Sequence, residues 1–170
     1  MILIGLGGNL PSPQHGAPEA TLAAALANLD AEGAVTIRRS RWYLSPPVPT
    51  SDQPMFVNGV ALIRTALGPE PLLALLHRIE TRLGRRRRVR WEARVIDLDL
   101  LAYEDRVLGT GGGRAPELPH PRLRERAFVL LPLAEVAPGW RHPATGESVE
   151  EMIQALAPED IALVSPLDAP

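Results

Sequence analysis

Two apolar periodicities alternate along the chain. Residues 2–6 form a short apolar run closed by Gly7-Gly8-Asn9, which predicts a buried strand entering a loop. Leu22, Leu26 and Leu29 then recur at helical spacing behind Pro18, a residue favoured in a first helical turn, and Gly33 can end that helix. Residues 35–44 alternate, Val35, Ile37, Arg39, Arg41 and Tyr43 against Thr36, Arg38, Ser40, Trp42 and Leu44, as a strand with a wet face does. Ser45-Pro46-Pro47-Val48-Pro49 breaks the pattern, because proline fixes φ and removes donors; a stiff loop to about residue 54 is expected. A strand resumes over 56–64. Leu72, Leu76, Ile79 and Leu83 make the clearest helical stripe, over 70–83, and Gly84 ends it. An arginine-rich loop leads to a strand over 95–103. After a Gly-rich connection at 109–113 and Pro119-His120-Pro121, the spacing predicts a helix over 127–137. Ser148-Val149-Glu150-Glu151 is a capping box for a last helix reaching about Leu156, and 161–164 reads as a terminal strand.

The order β-α-β-β-α-β is that of the split βαβ unit. It predicts an α+β fold, a ferredoxin-like antiparallel sheet with helices packed on one face and additional C-terminal helices. The 170 residues suit a single domain, 1–170, with a core at about 1–140 and a C-terminal extension at 141–170.

Composition narrows the chemistry. All 18 basic residues are arginine, and cysteine is absent. A Walker-type phosphate loop and Schiff-base catalysis both need a lysine amine. Thiolate nucleophiles, disulfides and Cys-ligated zinc are excluded as well. Phosphate or carboxylate recognition therefore falls to arginine, which is planar, permanently charged and bidentate. The formal net charge of −2 provides no global attraction to nucleic acid or anionic membrane. No apolar run approaches membrane-spanning length, and no basic segment precedes the first one. A cytoplasmic location is expected.

Asp97 and Asp99 stand in Val95-Ile96-Asp97-Leu98-Asp99-Leu100. Side chains alternate on a strand, so the two carboxylates share one face, with Cα atoms ~6.6 Å apart at ~3.3 Å per residue. Carboxylates so placed repel unless a cation sits between them. Magnesium suits the pair, since it binds through one or two carboxylates plus substrate phosphates. Immediately upstream, residues 78–94 hold Arg78, Arg82, Arg85, Arg86, Arg87, Arg88, Arg90 and Arg94, 8 of the 18 arginines. A charge run is usually a solvated face. Beside paired carboxylates, however, it fits a metal-bound polyphosphate, with metal on some oxygens and guanidinium groups on the rest. Trp91 can stack on a base or anchor the loop. Phe56 and Asn58 share a face of their strand, and an Asn amide suits the edge of a heteroaromatic amide. Phe56 and Phe128 are the only phenylalanines. His120 is fixed between prolines.

A family resemblance carries these fragments further. Gly5-Leu6-Gly7-Gly8-Asn9-Leu10, Ser45-Pro46-Pro47, Asp52-Gln53-Pro54-Met55-Phe56-Val57-Asn58, Arg78-Ile79-Glu80, Gly84-Arg85, Arg94-Val95-Ile96-Asp97-Leu98-Asp99-Leu100 and Leu118-Pro119-His120-Pro121 occur in that order. Together they resemble the 6-hydroxymethyl-7,8-dihydropterin pyrophosphokinases of folate biosynthesis, over about residues 1–140. The resemblance implies transfer of the terminal diphosphate of ATP to the hydroxymethyl group of the pterin, with release of AMP. It also implies two Mg2+ ions on Asp97 and Asp99, and Arg85 and Arg94 as catalytic arginines. Pterin contacts would come from Ser45, Pro46, Val48, Phe56, Asn58 and Phe128. ATP contacts would come from His77, Glu80, Arg87, Trp91, Arg94, Leu100, His120 and Arg126. The partners implied are these two small molecules, with no nucleic acid and no membrane, on a monomer or weak homodimer. The chain departs from the family pattern in several places. Gly8 replaces a common Ser, Phe56 a common Tyr, Glu92-Ala93 a Gly-Pro pair, His77 a frequent Gln, and Pro121 a frequent aromatic. An expected arginine before Pro119-His120 falls on Ala115.

Two other classes use the same residues. A nucleotidyltransferase would use the carboxylate pair but release pyrophosphate. An RNA-binding module would need stacking aromatics on its central strands. The corresponding strand offers Asp97 and Asp99 instead.

Overall fold

The computed structural model describes residues 1–85, 93–109 and 116–167. Its elements are β1 (Ile2–Gly8), α1 (Pro18–Ala31), β2 (Val35–Arg39), β3 (Tyr43–Ser45), β4 (Phe56–Arg64), α2 (Pro69–Arg82), β5 (Asp97–Tyr103), α3 (Ala127–Val136), α4 (Val149–Gln154), α5 (Pro158–Ala162) and β6 (Ser165–Pro166). A 3-10 turn at Leu123–Glu125 precedes α3. The sheet runs β5-β1-β4-β3-β6, and β2 pairs with β4 beyond β3. Every pairing is antiparallel.

β1 sits centrally and is apolar on both faces, as a strand buried on both sides must be. Ile2, Ile4 and Leu6 join Leu98 and Leu100 of β5 beneath α1 and α2, whose Leu22, Leu29, Leu72, Leu76 and Ile79 are fully buried. Leu3, Val60 and Leu101 point the other way, into a second core with Leu130 and Leu133 of α3 and Val149 and Met152 of α4. The crossover helices thus share one face, and the C-terminal helices close the other. The sheet lies between two helical layers rather than under one.

Three local expectations are corrected. The strand expected over 35–44 is two strands. From Arg39 to Tyr43 the chain takes four steps while its partner takes three, from Ala61 to Asn58, so one residue bulges out. Ser40 organises the break. Its hydroxyl accepts the Val60 N–H and donates to the Arg41 carbonyl. Trp42 fills the space over Gly59, where a Cβ would lie 2.7 Å from the indole. The first half of the segment expected as a terminal strand over 161–164, Ile161 and Ala162, belongs to α5 instead, because Pro158 in the first turn and Glu159 and Asp160 behind it favour a helix start. The strand comes later, where Ser165–Pro166 pairs with β3. The last capped helix ends at Gln154; its capping box, Ser148 to Glu151 in both directions, is present.

Candidate active site

β5 places the acids. Leu98 and Leu100 enter the core under α2, so Asp97 and Asp99 face the α3 side. Across the sheet, Asp97 is opposite Gly7 of β1, and Gly7 is opposite Asn58 of β4; Asp99 is opposite Gly5. Gly7 therefore lies between Asp97 and Asn58, and Gly5 between Asp99 and Val60. Without side chains on these two glycines, the floor over β1 stays open as a cavity of about 330 Å³. A Cβ on Gly7 would approach the Asn58 Oδ1 to 3.2 Å.

Ten of the residues singled out in the sequence line this cavity: Ser45, Pro46, Val48, Phe56, Asn58, Arg94, Asp97, Asp99, Arg126 and Phe128. Phe56 comes from the sheet and Phe128 from the first turn of α3. Each has a guanidinium near its face, Arg94 at 5.9 Å from the Phe56 centre and Arg126 at 5.5 Å from Phe128. The Asn58 amide donates to the Ser45 hydroxyl at 2.9 Å, which leaves its carbonyl turned toward the cavity side of Gly7.

The acids differ in their surroundings. Asp97 accepts from Arg85 at 2.5 Å and from Arg94. Arg85 also pairs with Glu80. Glu80 is fully buried on α2 and accepts the Leu98 N–H at 2.7 Å, between the two aspartates. Helix α2, the arginine after it and the start of β5 are thereby tied in one ion-paired network. The Asp99 carboxyl is pushed up to about 6 by burial first and by the Asp97 charge next, against the pull of Arg126.

The end of β1 is drawn close to the approach to β5. Asn9 donates its backbone N–H to the Arg94 carbonyl at 2.9 Å and accepts the Arg94 N–H on its side chain at 2.8 Å. Its amide also donates to the Pro54 carbonyl at 3.1 Å, linking the loop before β4. Gly8 makes this approach possible: a Cβ there would sit 2.5 Å from the Val95 carbonyl oxygen.

The remaining candidates lie elsewhere. Leu100 is 4% exposed in the core on the far face of β5. His77 is exposed on α2. His120 is half-buried beyond the cavity wall; its N–H donates to the Leu101 carbonyl, and its Nδ1 accepts the Arg122 N–H. Burial, then Arg126 and Arg122, hold its imidazole down to about 4, so it is neutral near pH 7 with its proton on Nε2. Arg87, Trp91, Glu92 and Ala115 lie outside the described residues. Arg122 and Glu125 line the cavity although the sequence reading did not single them out. Their only signal was the arginine-rich run 122–126 before an apolar helix, and periodicity does not say which of those side chains a 3-10 turn will aim inward. Leu101 was missed too, because an irregularity in the β1–β5 register brings both Leu101 and Ala102 to the α3 side.

Comparison with known proteins gives a consistent match. The family model of 7,8-dihydro-6-hydroxymethylpterin-pyrophosphokinase (HPPK) matches residues 3–138. A 2-amino-4-hydroxy-6-hydroxymethyldihydropteridine pyrophosphokinase of Methylorubrum extorquens is 42% identical over 162 residues, 95% of this chain and 96% of its own. One of Synechocystis sp. is 38% identical over 89% of this chain and 74% of its own. A structure of wild-type Plasmodium falciparum HPPK-DHPS with pteroate shares the fold, with a TM-score of 0.70 at 12% identity. It covers 90% of this chain, which spans 43% of that one.

Proposed function

The chain belongs to the 7,8-dihydro-6-hydroxymethylpterin-pyrophosphokinase family, and we propose that it transfers the diphosphate of ATP to the hydroxymethyl group of 6-hydroxymethyl-7,8-dihydropterin, releasing AMP. One observation carries the reading: the paired carboxylates of β5 and the amide of Asn58 face each other across a glycine floor, in one cavity that Phe56 and Phe128 also line. A flat heteroaromatic ring fits the aromatic walls. Its polar edge meets Asn58 and Ser45, and its hydroxymethyl arm reaches toward the acids. The strand order, with β2 and β3 taken as one bulged strand, supports a ferredoxin-like topology.

The acids fit magnesium. Asp99 is disfavoured as an anion by burial first and by the Asp97 charge next, a repulsion that a divalent cation relieves. Two carboxylates leave coordination positions for water and phosphate oxygens, which is how Mg2+ usually binds nucleotides. Asp97 and Asp99 would hold it, and when bound it neutralises the phosphates and lowers the pKa of an attacking hydroxyl.

The protein's own groups supply the rest. Asn58 and Ser45 orient the pterin so that its hydroxyl oxygen meets the β-phosphorus in line, converting a bimolecular encounter into a positioned one. The bond between the α,β-bridging oxygen and the β-phosphorus breaks, AMP leaves with that oxygen, and the hydroxyl proton is lost to solvent. Arg85 and Arg94, both gathered at Asp97, are placed to trade the carboxylate for phosphate oxygens and stabilise charge on the transferred group. Arg126 and the Nε2–H of neutral His120 add donors on the nucleotide side. Glu80 acts there through Arg85, while His77 on α2 and Leu100 in the core lie on the other side of the sheet. An RNA-binding reading loses ground, since α3 and α4 cover the sheet face beside the carboxylates. The test is AMP release from ATP, assayed with and without the dihydropterin. Asp97→Asn should abolish it while the chain stays folded; pyrophosphate in place of AMP would favour a nucleotidyltransferase.

A further inference from the structure

We propose that Arg122 is a binding residue for the diphosphate group that is transferred, an inference that rests on the diphosphokinase reading above. The turn before α3 carries three arginines, and the fold sends them three ways. Arg124 leaves the cavity and pairs with Glu147 at 2.5 Å. Arg126 lines the cavity, where its strongest attraction is to Asp99. Arg122 lines the same cavity, half-buried, and its charge disfavours the charged forms of both Arg126 and His120.

The backbone holds this arrangement in place. Arg122 donates its N–H to the His120 Nδ1 at 3.2 Å, and His120 donates its own to the Leu101 carbonyl at 2.8 Å. The root of Arg122 is thus pinned to β5, two residues past Asp99. Two guanidinium groups, those of Arg122 and Arg126, therefore meet in one half-buried wall of the cavity, and an anion placed against that wall is met by both. The pterin ring is neutral and needs no such charge. A diphosphate carries several, and its oxygens match the planar fork of a guanidinium. Glu125, from the same turn, also lines the cavity and attracts Arg126.

The test uses the full chain and two ligands, 6-hydroxymethyl-7,8-dihydropterin and its diphosphate, with affinities measured by calorimetric titration. Arg122→Ala should weaken the diphosphate by about tenfold or more, the value of a charge-assisted hydrogen bond, and leave the unphosphorylated pterin within about twofold of the unsubstituted chain. Arg122→Lys should recover part of the loss, because the charge returns without the fork. Arg124→Ala, equal in charge removed but outside the cavity, should change neither affinity. Equal losses for both ligands in Arg122→Ala would make the residue structural, and an unchanged diphosphate affinity would overturn the assignment. So would a selective loss in Arg124→Ala, which would reduce the effect to net charge. If the unsubstituted chain bound no pterin diphosphate at all, the diphosphokinase reading itself would fail, a result distinct from any of these.

Discussion

Glu80 is the residue on which the site's geometry most depends without lining the cavity. It is 1% exposed, and its carboxylate serves the Leu98 N–H and the Arg85 guanidinium together. Removing one partner of a buried pair is far worse than removing both, since the survivor stays desolvated. Glu80→Ala should therefore destabilise the fold by about 3 kcal/mol, measured by urea unfolding. Glu80→Gln keeps an acceptor for Leu98 and should cost less. It still frees Arg85 from its carboxylate, so turnover should fall while the fold is largely retained. If Gln and Ala were equally destabilising, the Leu98 hydrogen bond would not be the main support. His120 and Asp99 give opposite pH signatures. His120 is held down to about 4 from an ordinary value near 6.5. Its contribution to stability is present above pH ~6.5 and is lost as pH falls toward ~4, because only the unfolded chain takes up the proton in that window. Asp99 is pushed up to about 6, so its contribution is present at low pH and lost as pH rises through ~6. Between pH 4 and 6.5 the two slopes oppose each other. Denaturation midpoints of His120→Asn should fall less on acidification than those of the unsubstituted chain, and those of Asp99→Asn should fall more. Parallel curves for all three would contradict the environments described for both groups.

At the scale of elements, the contact between the ends of β1 and β5 decides whether the carboxylates are aimed correctly. Gly8 lies where any Cβ would meet the Val95 carbonyl at 2.5 Å, backbone against side chain, with no flexible group to give way. Gly8→Ser, which restores the commoner family residue, should push residues 94 and 95 outward and move Arg94 relative to Asp97. The expected result is a fall in kcat of about tenfold or more, since misplacements of 1 Å commonly have that effect, with a smaller change in stability. A variant with unchanged kcat would show that the strand ends can separate freely. The same contact shows what sequence could and could not reveal. Alternation on β5 predicted that Asp97 and Asp99 share a face, and on β4 that Phe56 and Asn58 do, because strand parity is a local property. Nothing local indicated that Gly7 lies between Asp97 and Asn58, since that depends on register across three strands. Nor did parity survive in 35–44, where Ser40 takes the Val60 N–H with its hydroxyl and lets a residue bulge out. A second shift lies between Thr36 and Arg38, so simple alternation does not run through the stretch: Tyr43 is buried while Val35 and Ile37 are exposed. Arg122 was illegible for a related reason: a single 3-10 turn has no periodicity long enough to separate inward from outward arginines.

For the whole molecule, the chain after the family match is part of the fold's core rather than an appendage. The match ends at residue 138, yet Trp140, Val149 and Met152 are buried in the second core with Leu3, Val60, Leu130 and Leu133. That core backs the cavity: Phe128 and Val129 belong to the same helix whose inner face packs there, and α3 is locked to β3 through Glu135, which accepts from Tyr43 and Arg41 at 2.5 Å each. The tail then returns to the sheet, where Ser165–Pro166 pairs with β3 and the Leu167 N–H donates to the Trp42 carbonyl at 2.7 Å. β3 ends at Ser45, so the tail braces the strand that presents to the cavity the hydroxyl accepting from Asn58. A truncation of a buried side chain in the tail separates bracing from mere attachment. Met152 is 1% exposed. Met152→Ala should destabilise the chain by about 2–4 kcal/mol through lost burial and the cavity left behind. If α4 sets the position of α3, pterin affinity should fall along with stability at temperatures where the variant remains folded, because Phe128 moves with the helix. A stable variant, or an unstable one with full pterin affinity when folded, would show that the second core supports the sheet without tuning the cavity.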